Sequence, residues 1–181
     1  MKEYEILKAY RLIEPGPVIL VVTADEKKAN VMTVSWHIVM DYTPRIGCVI
    51  GPWDYSYSAL LATKECVIGI PTVDIAEKVV DIGNCSGEDT DKFEKFDLTP
   101  LPAANVSVPL LGDCLANIEC RVSDDSLVED HSLFILEGVK AWIDPVRKER
   151  RTIHSNGDGT FSVDGSLLDL KQRMIKYKAH V

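Results

Sequence analysis

Residues 30–40 read Asn-Val-Met-Thr-Val-Ser-Trp-His-Ile-Val-Met, and their reading decides what kind of sheet the chain builds. Met32, Val34, Trp36, Ile38 and Met40 alternate with Thr33, Ser35 and His37. A period of two is the period of a strand, because successive side chains leave a pleated backbone on opposite sides. One long strand is expected, with the apolar set turned to the core. The other set presents two hydroxyls and an imidazole in a row. Hydroxyls and strand-end amides are neutral donors suited to a phosphate or to the polar edge of a ring. More simply, the same pattern is the solvated face of an antiparallel strand.

Outward from this stretch, short apolar runs recur between Gly, Pro, Asn and Asp, as strands do. They cover residues 18–23, 30–39, 45–50, 66–70, 115–122, 132–143, 151–155 and 160–163. The last two flank Asn156-Gly157-Asp158-Gly159, residues that tolerate positive φ, and so predict a hairpin. Three helices are expected. One spans 58–64. A second spans 75–82, with Asp74 and Glu77 spaced as a capping box and Gly83 as a stop. A third spans 167–178, with Leu167, Leu170, Met174 and Tyr177 on one stripe. Strands do not alternate regularly with long helices, which argues against a doubly wound parallel sheet. Closing the sheet would remove its edges, so a mainly β barrel with helical connections is expected.

The chain has 181 residues, which suits one domain over 1–181, with a core at about 10–145 and a hairpin and helix at 150–178. Lys and Arg number 20 and Asp and Glu 28, a net charge of −8. That balance argues against nucleic acid and against an anionic membrane as partners. The longest early apolar run, Pro17 to Val22, is too short to cross a bilayer, and the start MKEYEILKAY sets acids, Glu3 and Glu5, where a secretory signal would have bases. The expected address is the cytoplasm. Five cysteines at long gaps, with no CxxC pair, predict buried thiols rather than a disulfide frame or a zinc site. No His spacing predicts a metal, and neither GxGxxG nor GxxxxGK[ST] occurs. A nucleotide would have to be held by strands and loops.

Three further places can carry chemistry. Residues 51–58, GPWDYSYS, follow a strand with a Gly51-Pro52 turn and interleave Trp53 and Tyr55 with Ser56 and Ser58 at the start of a helix. Aromatics stack on planar rings, hydroxyls bind phosphate, and a helix start favours anions; a capped helix with aromatics in the core has the same pattern. Residues 83–93, GNCSGEDTDKF, are Gly-rich and acidic and include Ser86 and Lys92, a point-charge ligand for phosphate. A surface loop reads no differently, and Cys85 within it has no resolving partner close in sequence. Asp130-His131, at the start of a long strand, is a His with an adjacent acid that can act at a site; a lone His that is structural or merely exposed reads the same.

Taken together, these places resemble the flavin reductase-like family, the FMN-binding split barrels that include flavoredoxins. PGPVILVVT is similar to its first strand, NVMTVSW to its Asn-x-Met-Thr-x-Ser-Trp/Phe signature, SGEDTDKF to its Ser-Gly…Asp-Lys-Phe loop and EDHSLFILEGV to its Gly-Asp-His…Phe-x-Gly-x-Val strand. The resemblance runs from Pro15 to Val139, with a similar tail to Met174. It implies a split β-barrel, a homodimer and FMN as cofactor. Thr33 and Ser35 match positions that face the flavin or its phosphate, Trp36 the bulky residue that follows, Ser56 the hydroxyl position in the loop after the Gly-Pro turn, and Lys92 the loop Lys near the phosphate. With them, Gly51, Trp53, Ser58 and Ser86 complete the expected cofactor set. His131 matches the His at the flavin's reactive face, the expected catalytic residue, where NADH or NADPH would stack. Thr43-Pro44 stands where many members have Pro-Pro, and Glu129 replaces the Gly before Asp130-His131, which adds negative charge near the implied nicotinamide site and argues against NADPH, with its extra phosphate. The implied function is an NAD(P)H-dependent flavin reductase. Its alternatives are a flavoredoxin-type carrier reduced by a redox protein and a non-redox β-barrel binding protein.

Overall fold

The computed structural model describes residues 1–12, 16–26 and 28–176. In chain order its elements are β1 (Lys2–Tyr4), β2 (Ile19–Ala24), β3 (Ala29–Val34), β4 (His37–Val39), β5 (Arg45–Val49), α1 (Ser56–Thr63), β6 (Glu65–Ile70) and α2 (Ala76–Gly83). There follow α3 (Lys92–Lys95), β7 (Pro100–Leu101), β8 (Leu110–Leu111), β9 (Ala116–Asp124), α4 (Val128–His131), β10 (Leu133–Ile143), β11 (Ile153–Ser155) and β12 (Phe161–Val163). The main sheet is antiparallel, in the order β3-β2-β6-β9-β10-β5-β4, with β1 on the far part of β10.

This order shows what residues 30–40 do. They form two strands, not one. β3 and β4 stand at opposite ends of the sheet, yet only Ser35 and Trp36 separate them. Three Cα–Cα steps reach about 11 Å at most. The sheet must therefore curl until its ends nearly meet, and the chain crosses the remaining gap, which is what splits the barrel. The Val49 N–H holds the crossing by donating to the Trp36 carbonyl at 3.0 Å. The expected apolar face fails at this point. Val34 is buried, but Trp36 is 67% exposed, Ile38 61% and Met40 47%. The period of two runs through a break that transfers the chain from one sheet edge to the other. Alternation reports parity along the chain, not which side of the sheet is covered.

β2 explains the unbroken run VILVV. Ile19 and Val21 point into the barrel, against Ile46, Ile68, Ile118 and Phe134. Val18, Leu20 and Val22 point outward, against Val79 and Ile82 of α2 and Leu98, Val108 and Leu111 of the segment beyond it. A strand covered on both faces reads as continuous hydrophobicity. β10 bends at two register shifts against β9, and Gly138 lies at one of them. A Cβ there would sit 3.0 Å from both Ile118 and Pro44.

Other differences are local. α1 starts at Ser56, two residues earlier than the spacing suggests. The capping box does not form. Asp74 accepts from Thr72 and from Arg147 instead, and Ile75 stands at the helix start with no side-chain cap. Gly83 is the last helical residue rather than the one after. His131 closes the turn α4 instead of opening β10. The third expected helix is absent over the described residues: Leu167, Leu170 and Met174 are exposed, and only a 3-10 turn at Lys171–Arg173 forms. A short amphipathic stripe with nothing to pack against does not recover the cost of nucleating a helix. Tyr177 and Lys178 lie outside the described residues. The hairpin at 156–159 forms between β11 and β12, with Gly157 and Gly159 at φ +83° and +87°. Among the described residues no helix is long and apolar enough to cross a membrane.

Candidate functional site

Three elements converge beside the seam. β3 brings Asn30, Met32 and Thr33; the start of α1 brings Tyr55 and Ser56; the loop after α2 brings residues 83–87, and α3 brings Lys92. They enclose a cavity of about 340 Å³. α3 is short, but Asp91 caps it by accepting the Glu94 N–H at 3.1 Å, which sets the direction of Lys92.

Lys92 is the most informative residue. It is only 4% exposed, and its ammonium donates to the Ile82 carbonyl at the end of α2, at 2.9 Å. An ammonium carries three N–H donors. Among the described residues the Ile82 carbonyl is its one hydrogen-bond acceptor, and burial pulls the Lys92 pKa down. An anion in the cavity would reverse that effect.

Around it, Asn30 donates its side-chain amide to the Ser56 hydroxyl oxygen at 3.0 Å, both residues being buried. The Ser56 hydroxyl proton is left to serve another acceptor. The Thr33 hydroxyl donates to the Val79 carbonyl at 2.6 Å, so its proton serves α2 and its oxygen can only accept. Thr33 thus shapes the wall, because a Cβ on Gly83 would come within 3.3 Å of it. Gly87 is required by close approach: a Cβ there would lie 2.4 Å from Asn30 Oδ1 and 2.5 Å from the Tyr55 ring. Lys28 donates to the Gly87 carbonyl and sits 5.3 Å from the Tyr55 ring centroid, tying this loop to the strand.

Trp53 is the hub. It is 71% exposed, and its indole lies so close over Gly51 that a Cβ there would stand 2.3 Å away. The Gly51 N–H donates to Asp54 at 2.9 Å, which closes the turn that presents the ring. Trp53 borders the Lys92 cavity and three others. A smaller one of about 220 Å³ holds Ser35 and Trp36 with Thr33. Another, of about 340 Å³, holds Ser58 and Ser86 with Asp25 and Glu88. The widest, about 660 Å³, holds His131 with Tyr57, Asp125, Glu129, Asp130 and Ser132.

Of the expected site residues, Thr33, Trp53, Ser56, Ser86 and Lys92 therefore share one cavity. Ser35 and Trp36 lie in the adjoining one, and Gly51 underlies the Trp53 ring. Ser58 does not reach the Lys92 cavity, being two residues further along α1. His131 lies across Trp53 from it. Asn30, absent from the expected set, is central. Its only signal was its place at the head of residues 30–36, since an Asn in a strand pattern otherwise reads as a strand end.

An antiparallel barrel split at one seam, with a buried cation and hydroxyls beside the seam, defines a split barrel with a polar cleft at that seam. Residues 11–161 match the flavin reductase like domain, and the chain belongs to that family. An uncharacterized protein of Archaeoglobus fulgidus is 34% identical over 134 residues, covering 74% of this chain and 75% of its own. Among solved structures, an FMN-binding domain of a flavin reductases-like enzyme from Shewanella baltica superimposes with a TM-score of 0.85 at 24% identity, covering 92% of this chain and 95% of that one. The flavoredoxin of Desulfovibrio vulgaris gives 0.77 at 23% identity, over 85% and 89%. The fold is the FMN-binding split barrel.

The residues present fit the phosphate end of FMN. A buried ammonium short of acceptors, a free hydroxyl proton on Ser56 and the N-terminal amides of an eight-residue helix complement a dianion.

Proposed function

We propose that the protein is an FMN-dependent oxidoreductase of the flavin reductase type. The observation that carries this reading is the single-acceptor ammonium of Lys92, buried in the same cavity as Ser56 and Ser86. Lys92 would neutralise phosphate charge, and Ser56, held by Asn30, would donate to it. Trp53, fixed over Gly51, would wall the ring of the cofactor. When bound, FMN supplies the hydride- and electron-transfer chemistry. The chain's own part is then to fix the cofactor, exclude water with Trp53 and Trp36, and offer an approach from the His131 side.

The second partner in this reading is NADH or NADPH, entering the cavity that holds His131. Holding two rings face to face is mainly a gain of proximity. Glu129 and Asp130 on that wall repel NADPH, with its extra phosphate, more than NADH, so NADH is the preferred of the two. The experiment is stopped-flow bleaching of the FMN-loaded protein by each nucleotide, in the native protein and in His131→Ala. Faster bleaching by NADH, slowed in the variant with FMN affinity retained, is expected. Bleaching unaltered by the substitution removes His131 from the mechanism.

The same acidic wall supports a second reading. A flavoredoxin-type carrier would take electrons from a basic redox protein, and a net charge of −8 suits such a partner. Bleaching by neither nucleotide, with retained flavin, selects it. We further infer a homodimer, supported by the exposed apolar row Trp36, Ile38 and Met40 along the seam.

A further inference from the structure

Trp53 is 71% exposed, so contact with the core does not hold its ring in place. A seat does. The three atoms nearest to a Cβ built on Gly51 all belong to the Trp53 indole, at 2.3 to 2.4 Å. Gly51 is buried, and its φ lies outside the left-handed region, which among the glycines only Gly16, Gly157 and Gly159 occupy. The backbone would therefore accept alanine at this position, and alanine in place of a glycine of ordinary φ stabilises a fold by restricting the unfolded chain. Only the indole excludes the methyl group.

Asp54 fixes the turn beneath this seat. Its carboxylate accepts the Gly51 N–H at 2.9 Å, its own N–H donates to the Gly51 carbonyl at 2.9 Å, and its carbonyl accepts the Tyr57 N–H at 3.0 Å. The residue before the seat is tied as well, because the Ile50 N–H donates to the Ser132 carbonyl at 2.9 Å. The ring so placed borders both the Lys92 cavity and the His131 cavity. An indole this exposed gains little from burial. Stability therefore does not account for a buried glycine and a reciprocally bonded turn beneath it. The position of the ring does.

We propose that Gly51 and Asp54 are positioning residues, which seat the Trp53 indole as a partition between the Lys92 cavity and the His131 cavity. The partition rests on the reading of the Lys92 cavity as an FMN site given above, and adds to it what controls access to the cofactor. Trp53 also borders the cavity that holds Ser35 and Trp36. An indole that left its seat would join these cavities and open the cofactor to any small reductant. Held over Gly51, it confines the approach. Gly51 and Asp54 act through the ring, and the expected losses follow the ring rather than the charge of Asp54.

The test labels the full chain with 5-fluorotryptophan. Trp36, Trp53 and Trp142 give three fluorine signals, and Trp53→Phe assigns the second. In the flavin-free protein the Trp53 signal should lie apart from that of the free amino acid, and should move towards it in Gly51→Ala and in Asp54→Ala. Asp54→Asn loses the same charge but keeps an acceptor for the Gly51 N–H, so its signal should stay near the native position. The melting temperature of Gly51→Ala should remain within about 3 °C of the native value, because the displaced ring swings into solvent. With FMN bound, dithionite should bleach the flavin at least about fivefold faster in Gly51→Ala than in the native protein, and in Asp54→Ala than in Asp54→Asn. A Trp53 signal unmoved in Gly51→Ala overturns the seat. Equal bleaching in a variant whose signal has moved overturns the partition. If the native chain binds no FMN, the reading of the Lys92 cavity fails and the partition fails with it, while the fluorine signals still decide the seat.

Discussion

At the scale of residues, the account turns on Lys92. Truncation to alanine would confound two effects, because the buried methylene stem also fills space. Lys92→Met keeps the stem and removes the charge. Hydrogen bonds to charged groups contribute about 1.5–3 kcal/mol, so FMN affinity should fall roughly 10- to 100-fold. The melting temperature should hold or rise, because a desolvated, under-bonded ammonium is removed. Calorimetric titration beside a thermal melt checks both; unchanged affinity would sink the phosphate assignment. Lys92 was legible in the sequence as one cation closing an acidic, Gly-rich loop. Its burial was not, because it depends on α2 ending at the carbonyl the ammonium meets. Thr33 shows the opposite error. Its hydroxyl looked like a ligand donor, yet its proton is spent on the Val79 carbonyl, a contact between residues 46 apart.

Elements introduce constraints that no local pattern reveals. Most strands were legible because alternation and turn residues act locally. The break at Ser35-Trp36 was not, since a two-residue crossing between sheet edges preserves the period of two. The capping box at Asp74 and Glu77 failed because Arg147, 73 residues away, takes the Asp74 carboxylate. Glu119 on β9 is another such distant link. Fully buried, it accepts the backbone N–H groups of Ala104, Asn105 and Val106 and the indole N–H of Trp142. Glu119→Ala would strand these donors and should cost about 3 kcal/mol or more, read as a shift in denaturant midpoint; a loss under about 0.5 kcal/mol, the scale of an ordinary surface change, would contradict this.

β4 carries a pH dependence. His37 Nε2 lies 2.6 Å from the Pro17 carbonyl, while Nδ1 is buried with no partner among the described residues. Burial lowers the His37 pKa below 6.5, with the Pro17 carbonyl pulling the other way. Between that lowered value and 6.5 the unfolded chain binds the proton more readily. Stability should therefore fall as pH falls through this window. His37→Gln should flatten that part of the curve; an unaltered slope would place the titration elsewhere.

The whole molecule is a curled sheet whose seam exposes Trp36, Ile38 and Met40, next to the cavities bordered by Trp53. If that row is a dimer face, Ile38→Asp should convert a dimer to a monomer in sedimentation equilibrium. A native protein that already sediments as a monomer contradicts the proposal. The most direct test of the central claim is a flavin titration: visible absorption of the purified protein, before and after soaking with FMN and desalting. The account predicts flavin bands retained at one FMN per chain, and much weaker retention by Lys92→Met. A protein that stays colourless, or a variant that holds FMN as tightly as the native chain, would contradict it.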